Sequence, residues 1–311
     1  NASLSPQQAL GVKKLPIDSA EWQSYFDESG QLLKSRDYIA SQILDRGLDP
    51  SVRSEAWKFL TGYYAWRSSH DERLAVDSMR RCVKGLCYPS LFDLSFSTES
   101  DVQRLYIKDA EGNPIVDKNQ LEKILLMSYM CNVKAEYQQG FHEMLLLFHL
   151  LVEKEYEIYW LFQFFLQKTE NSCIMNIGVE KNLIMLKALI AFLDPVFARH
   201  LGKLCLVQSL FPWFCLFFQR VFRSFDDVWR LWEVFLTGLP CRNFQVIIAY
   251  TMLNMVRDQI LSEDLNGDDI LMLCNHIVDL DADTLIIRAC SIYDQLLQQK
   301  NEVKNSVAFL Y

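Results

Sequence analysis

The sequence predicts an all-α fold of many helices, and two observations carry that reading. Apolar residues recur at helical spacing through most of the chain from Lys118 to Gln299, and no long segment alternates apolar and polar residues as a half-buried strand does. Helix-start and helix-stop residues also punctuate those runs. No repeat of roughly 34–47 residues recurs, so a helical solenoid is not expected.

The elements follow in order. Residues 1–21 read as a tail; they give no signal-peptide pattern, and a chain opening without Met reads as trimmed. A helix begins at Ser35-Arg36-Asp37, places Ile39, Ile43 and Leu44 at helical spacing, and stops at Gly47. Asp49-Pro50-Ser51 opens the next, on which Arg53, Trp57 and Leu60 share a face. Asp71–Arg81 is a polar helix of mixed charge. Residues 82–97 have no readable period. Thr98 with Asp101 three positions on reads as a capping box before Arg104. Asp117 caps a helix over Lys118–Met130. Helices are then expected over Met144–Val152, Tyr156–Lys168, Lys181–Leu193, Pro195–His200, Gln208–Phe222 and Asp226–Gly238, the last opened by a capping box at Ser224–Asp227. Further helices are expected over Asn243–Leu261, Asp268–Val278 and Asp281–Gln299.

Composition excludes several classes of function. Half of the 311 residues are apolar and 13% are aromatic, so the chain can bury a large core. A net charge of −8 argues against a nonspecific grip on nucleic acid or anionic lipid. Nine cysteines stand singly with no C-x-x-C pair, which reads as reduced thiols in a cytosolic compartment. The most membrane-like window, Leu204–Phe222, is interrupted by Gln208, Ser209, Pro212, Gln219 and Arg220, so a buried helix is expected there and no transmembrane segment.

Motif chemistry narrows the field further. His142-Glu143 begins like a zinc-protease helix, but Leu146 stands where the second His must be. Asp279–Asp283 opens like a calcium loop, yet Thr284 and Cys290 occupy the positions that need Gly and Glu, so helix capping is expected instead. No phosphate-binding loop, dinucleotide fingerprint or nucleophile elbow is present. Two polar groups beside helix ends remain, Arg104 and Gln139. Gln139 lies in Glu136-Tyr137-Gln138-Gln139-Gly140-Phe141-His142-Glu143, a polar break between two apolar runs, and Gly140 there would let another backbone come close. Arg104 is either an ordinary first-turn surface residue or a guanidinium presented to a phosphate oxygen.

Arg53-x-x-x-Trp57-x-x-Leu60, Asp101-x-x-Arg104 and Tyr137-x-Gln139-Gly140, in that order, resemble the three motifs of the TBC domain of Rab GTPase-activating proteins. Pro212-Trp213-Phe214 and Leu231–Leu236 resemble that family's later landmarks, and the likeness spans residues 48–262. It implies two helical subdomains forming a V-shaped groove. Residues 22–47 would be a lead-in helix and 48–262 the Rab-GAP domain, with one lobe to about 153 and the other from about 154. C-terminal helices over 263–300 would pack on the second lobe, and 301–311 would be a tail. It also implies that Arg104 and Gln139 act in trans on a Rab-family small GTPase. Arg104 would neutralise charge on the transferring phosphoryl group and Gln139 would position the attacking water. Arg53, Trp57, Leu60, Asp101, Tyr137 and Gly140 would support them. GTP and Mg²⁺ would be the Rab's, with no cofactor held by this chain.

The chain departs from the family pattern at Thr98, Leu105, Glu136, Phe141 and His142, where Ile, Thr, Gly, Met and a small polar residue are usual. Those departures open a second reading, a catalytically weakened TBC fold kept as a binding scaffold. Phe211–Cys215 and Cys241–Gln245, together with the Glu136–Glu143 stretch, resemble a male-germ-cell branch of the family. That narrower likeness implies a cytoplasmic address in the sperm acrosomal region or flagellum, with cytoskeletal or mitochondrial-surface proteins of the sperm tail as partners. An unrelated helical adaptor is the third reading.

Overall fold

The structure is a computed structural model that describes residues 14–83, 102, 105, 115–130, 140–169, 177–202, 209–263, 265–277 and 280–299. Secondary structure among the described residues is helical apart from two isolated bridges, Ile17 with Leu48 and Phe26 with Leu32. The chain divides into two compact units, one of residues 17–39 and 48–175, the other of 1–16, 40–47 and 176–311. Helix α2, Arg36–Arg46, runs from the first into the second and stops at Gly47 with φ 74°.

The first unit begins with helix α1, Ser19–Gln23, which starts inside residues 1–21, expected to be a tail. The local chemistry explains the difference. Asp18 caps the helix by accepting from the Glu21 N–H at 2.8 Å, Ile17 and Trp22 are buried, and the Trp22 indole donates to Glu55 at 3.0 Å. Helix α3, Pro50–Leu60, starts as the sequence predicts, with Asp49 accepting from the Ser51 N–H at 2.9 Å and Pro50 in the first turn. The Asp49 carboxyl is held below its ordinary range, chiefly by the Ser51 hydroxyl. Helix α4, His70–Val83, is tied to the end of α3 by Asp77, which accepts from both Tyr63 Oη and Tyr64 Oη at 2.7 Å. Arg80 on α4 donates to the Tyr63 carbonyl at 2.6 Å and lies 4.0 Å over the Tyr63 ring. Helices α5 (Lys118–Met130), α6 (Phe141–Leu151) and α7 (Glu155–Lys168) complete the described part of this unit and pack against one another.

The second unit holds α8 (Ile177–Leu193), α9 (Pro195–Leu201), α10 (Phe211–Cys215), α11 (Phe225–Thr237), α12 (Phe244–Met255), α13 (Arg257–Ser262), α14 (Gly267–Asn275) and α15 (Ala282–Gln299). Arg230 on α11 is its main polar tie. Its guanidinium donates to the Ile43 and Leu44 carbonyls at 2.8 Å each and to Asp283 at 2.8 Å, so it binds the last turn of α2, where the Ile43 carbonyl also accepts from the Gly47 N–H at 2.9 Å. Gly47 makes room for it, since a Cβ there would lie 2.8 Å from the Arg230 side chain.

Three expectations are corrected in this unit. Among the described residues of the stretch expected as one helix over Gln208–Phe222, the chain leaves α10 after Cys215, and Phe217 and Phe218 take positive φ of 48° and 60°. The Trp232 indole donates to the Phe217 carbonyl at 2.7 Å and the Phe218 N–H to the Trp213 carbonyl at 2.9 Å, so tertiary bonds replace helical ones. The helix expected over Asn243–Leu261 breaks at Val256 into α12 and α13, and Arg257 forms an ion pair with Asp194. The capping box expected at Ser224 is half made. Ser224 accepts from the Asp226 N–H at 3.2 Å, but Asp227 accepts from the Ala282 N–H at 2.9 Å at the start of α15.

Candidate functional site

Helix α3 brings the three first-motif residues together and turns all of them inward. Arg53, Trp57 and Leu60 are 5%, 0% and 2% exposed. The Arg53 guanidinium donates to the Leu48 carbonyl at 3.4 Å. This arginine therefore binds the chain entering its own helix. Trp57 stacks on Phe165 of α7 at 6.0 Å and meets Phe148 of α6 edge-on at 5.7 Å.

Gly140 is the N-cap of α6, with φ 105° and ψ −10°, a conformation that L residues rarely hold. Its carbonyl accepts from the Glu143 and Met144 N–H groups at 3.1 and 3.2 Å, so the turn into the helix closes on the glycine. The next two side chains, Phe141 and His142, are 1% and 7% exposed, and His142 Nε2 lies 3.8 Å from Glu143. The first motif and the glycine of the third are thus joined through packing, by Trp57 on α3 against Phe148 on the helix that Gly140 opens.

Of the second motif, Val102 is fully buried and the Leu105 N–H donates to its carbonyl at 3.2 Å. Asp101, Arg104, Tyr137 and Gln139 lie outside the described residues, as do Thr98 and Glu136.

Sequence reasoning missed what supports these elements. Lys58 of α3 pairs with Glu157 of α7 at 2.9 Å, with both side chains largely buried. Lys154 stands 3.8 Å from the same carboxylate. Nothing in a single sequence pairs positions 99 residues apart. Phe162 of α7, which meets both Phe141 and Phe148 edge-on, was likewise not readable. Asp281, read as a helix cap, accepts from the Thr284 N–H at 2.9 Å and its hydroxyl at 2.7 Å. Among the described residues no cluster of His, Cys, Asp and Glu is arranged to hold a metal ion, and no helix is long and apolar enough to cross a membrane.

An all-helical chain whose first motif is buried on one helix and whose third ends in a left-handed helix cap has the build of a Rab-GAP domain. The Rab-GTPase-TBC domain family model matches residues 50–261, and the chain belongs to that family. It is similar to TBC1 domain family member 21 of Homo sapiens, 60% identical over 323 residues that cover 96% of each chain. It is likewise similar to TBC1 domain family member 21 of Mus musculus, at 59% identity and the same coverage. The crystal structure of the Ypt/Rab-GAP domain of Gyp1p has the same fold, with a TM-score of 0.72 over 94% of this chain and all of that one, at 15% identity.

Proposed function

We propose that the chain stimulates GTP hydrolysis by a Rab-family small GTPase, supplying Arg104 and Gln139 in trans. The observation that carries this reading lies inside the 50–261 family match. The first-motif residues are packed on α3, and Gly140 of the third motif caps α6, the helix against which Trp57 packs. Arg104 and Gln139 stand in the places those motifs reserve for the two fingers. An arginine supplied in trans is worth about 10³–10⁵ in rate, or roughly 4–7 kcal/mol of barrier. The Rab brings GTP and Mg²⁺. The test is single-turnover hydrolysis of Rab·GTP across a panel of Rabs. Acceleration that Arg104→Ala or Gln139→Ala abolishes supports the reading, and no acceleration on any Rab sinks it.

A second reading rests on Glu136, Phe141 and His142, which depart from the family pattern around the glutamine. A carboxylate near a site that must receive phosphate opposes catalysis by Coulomb repulsion. In this reading the chain is a binding scaffold, and a setting in the sperm acrosomal region or flagellum belongs to it on sequence likeness alone. Partner capture that survives both substitutions supports the scaffold; capture lost with Arg104→Ala counts against it.

A further inference from the structure

Helix α4 is fastened to the first unit by one face. Arg73, Asp77 and Arg80 follow at i, i+4 and i+7, so they share that face. Arg73 lies 5.5 Å over the Phe59 ring and donates to the Gly30 and Ser68 carbonyls at 2.7 and 2.6 Å. Asp77 takes both tyrosine hydroxyls, and Arg80 lies 4.8 Å over the Phe164 ring besides its contact with Tyr63. These contacts fix the helix, and with it the side that it turns to solvent.

That outer side carries Asp71, Leu74, Ala75, Ser78, Met79 and Arg81, all exposed, Leu74 by 52% and Met79 by 60%. At 3.6 residues per turn Asp71, Ala75 and Ser78 fall within about 60° of one another, with Leu74 on one flank and Met79 on the other. Two large apolar side chains thus stand on either side of short ones, a relief into which a second helix packs. The ends of this face carry opposite charge, Asp71 in the first turn and Arg81 in the last. Glu72 beside Asp71 is turned to capping and accepts from the Ser69 N–H at 2.7 Å. Arg81 lies 5.3 Å over the Tyr156 ring and stays exposed, and a guanidinium has more N–H donors than one such contact uses.

We propose that the outer face of α4 docks against the same face of a second copy of this chain, the two helices running antiparallel about a two-fold axis. Asp71 of each copy then meets Arg81 of the other, so the two-fold makes the ion pair twice. Leu74 packs against Ser78 and the Arg81 stem of the second copy, and Met79 packs against its Ala75. A parallel pair would bring Asp71 to Asp71 and Arg81 to Arg81, so the charges select the antiparallel one. The helix pair is about 18 Å long over residues 71–82, which puts the interface below the roughly 1,200 Å² of a standard complex. The dimer is therefore weak and concentration-dependent. Dimerisation does not depend on the GTPase-activating reading, and its test needs no Rab.

Sedimentation velocity on the full chain between about 1 µM and about 300 µM tests it. The mean mass should rise with concentration toward that of two chains, and Leu74→Glu with Met79→Glu should remain a monomer of unchanged Tm throughout. Asp71→Arg and Arg81→Asp should each weaken the dimer at least about tenfold, since each sets like charges together. Mixed in equal amounts, the two variants should recover dimer to within about threefold of wild type, because each supplies the charge that the other lacks. Cys82, which is exposed, would face position 71 of the second copy, so mild oxidation of Asp71→Cys should yield a covalent dimer linked 71 to 82. A wild-type chain that is monomeric at every concentration overturns the proposal, as does a dimer that survives the double glutamate change. A mixture no better than either variant alone, or a link from 82 to 82, overturns the antiparallel pairing.

Discussion

Replacing Gly140 by alanine strikes the third motif without touching either finger. At φ 105° the glycine sits further into positive φ than the left-handed well near +57°. An L residue forced into that region pays about 1–2 kcal/mol. Alanine recovers about 0.4–1 kcal/mol by stiffening the unfolded chain, which leaves a net loss of up to about 1.6 kcal/mol. For a chain of this size that lowers Tm by up to roughly 5 °C. The loss in rate should be larger, because the backbone relieves the strain by moving the entry to α6, and a shift of about 1 Å costs about a hundredfold. Gly62 supplies the control. It too has positive φ, 86°, and an added Cβ there meets nothing within 4 Å. Gly62→Ala should therefore show a similar drop in Tm by calorimetry with Rab·GTP hydrolysis unchanged. A Gly140→Ala protein with wild-type Tm and rate would refute the reasoning, as would a Gly62→Ala protein that loses as much rate.

Other expectations follow from the packing around the site. Lys58→Met leaves the buried Glu157 carboxylate with Lys154 at 3.8 Å as its remaining cation and should cost at most about 3–5 kcal/mol in chemical denaturation. Lys58→Met with Glu157→Gln should cost clearly less, and equal losses would contradict the pairing seen at 2.9 Å. The His149 Nε2 atom is buried without a hydrogen-bond partner, and burial holds the imidazole below its ordinary pKa against the opposing pull of Asp117. The unfolded chain then takes up that proton first, so stability is full above about pH 6.5 and falls as pH drops below it. Substituting Leu for His149 should flatten the fall in Tm between about pH 7.5 and 5.5, and an unchanged profile would count against the assignment. Burial pushes the Cys215 thiol up to about 11 and those of Cys241, Cys274 and Cys290 up to about 12, whereas Cys82 is exposed. Peptide mapping after brief alkylation of the native protein should find Cys82 labelled and those four protected.

The helices were legible because their signals are local. Asp49-Pro50, Asp117, Asn266 and Gly238 mark helix ends, and each does so in the structure through a bond or a dihedral of its own. Asn266 completes a full capping box with Asp269. Reading failed where a distant partner outbid the local pattern. Phe217 and Phe218 look like helix interior, but Trp232 takes the Phe217 carbonyl and the chain turns. Asp227 looks like a capping-box residue, but the start of α15 claims it. Ile17 looks like tail, but it is buried and bridges to Leu48 at the entry to α3.

The candidate site divides in the same way. The spacing of Arg53, Trp57 and Leu60 placed them on one face, and the structure buries that face. The sequence reading gave Gly140 the role of letting another backbone come close; what the structure shows is a positive φ, which glycine holds readily. The ring chain from Trp57 to Phe141 was not readable, because it joins three helices through contacts that leave no period in the sequence.

The most direct measurement is single-turnover hydrolysis on one responsive Rab·GTP, comparing wild type with Arg104→Ala, Gln139→Ala and the double variant, with Rab binding measured alongside. The account predicts a loss of about 10³-fold or more for Arg104→Ala. It predicts a large loss for Gln139→Ala, a double variant little worse than Arg104→Ala, and binding retained throughout. Wild-type acceleration that persists in the double variant would contradict it.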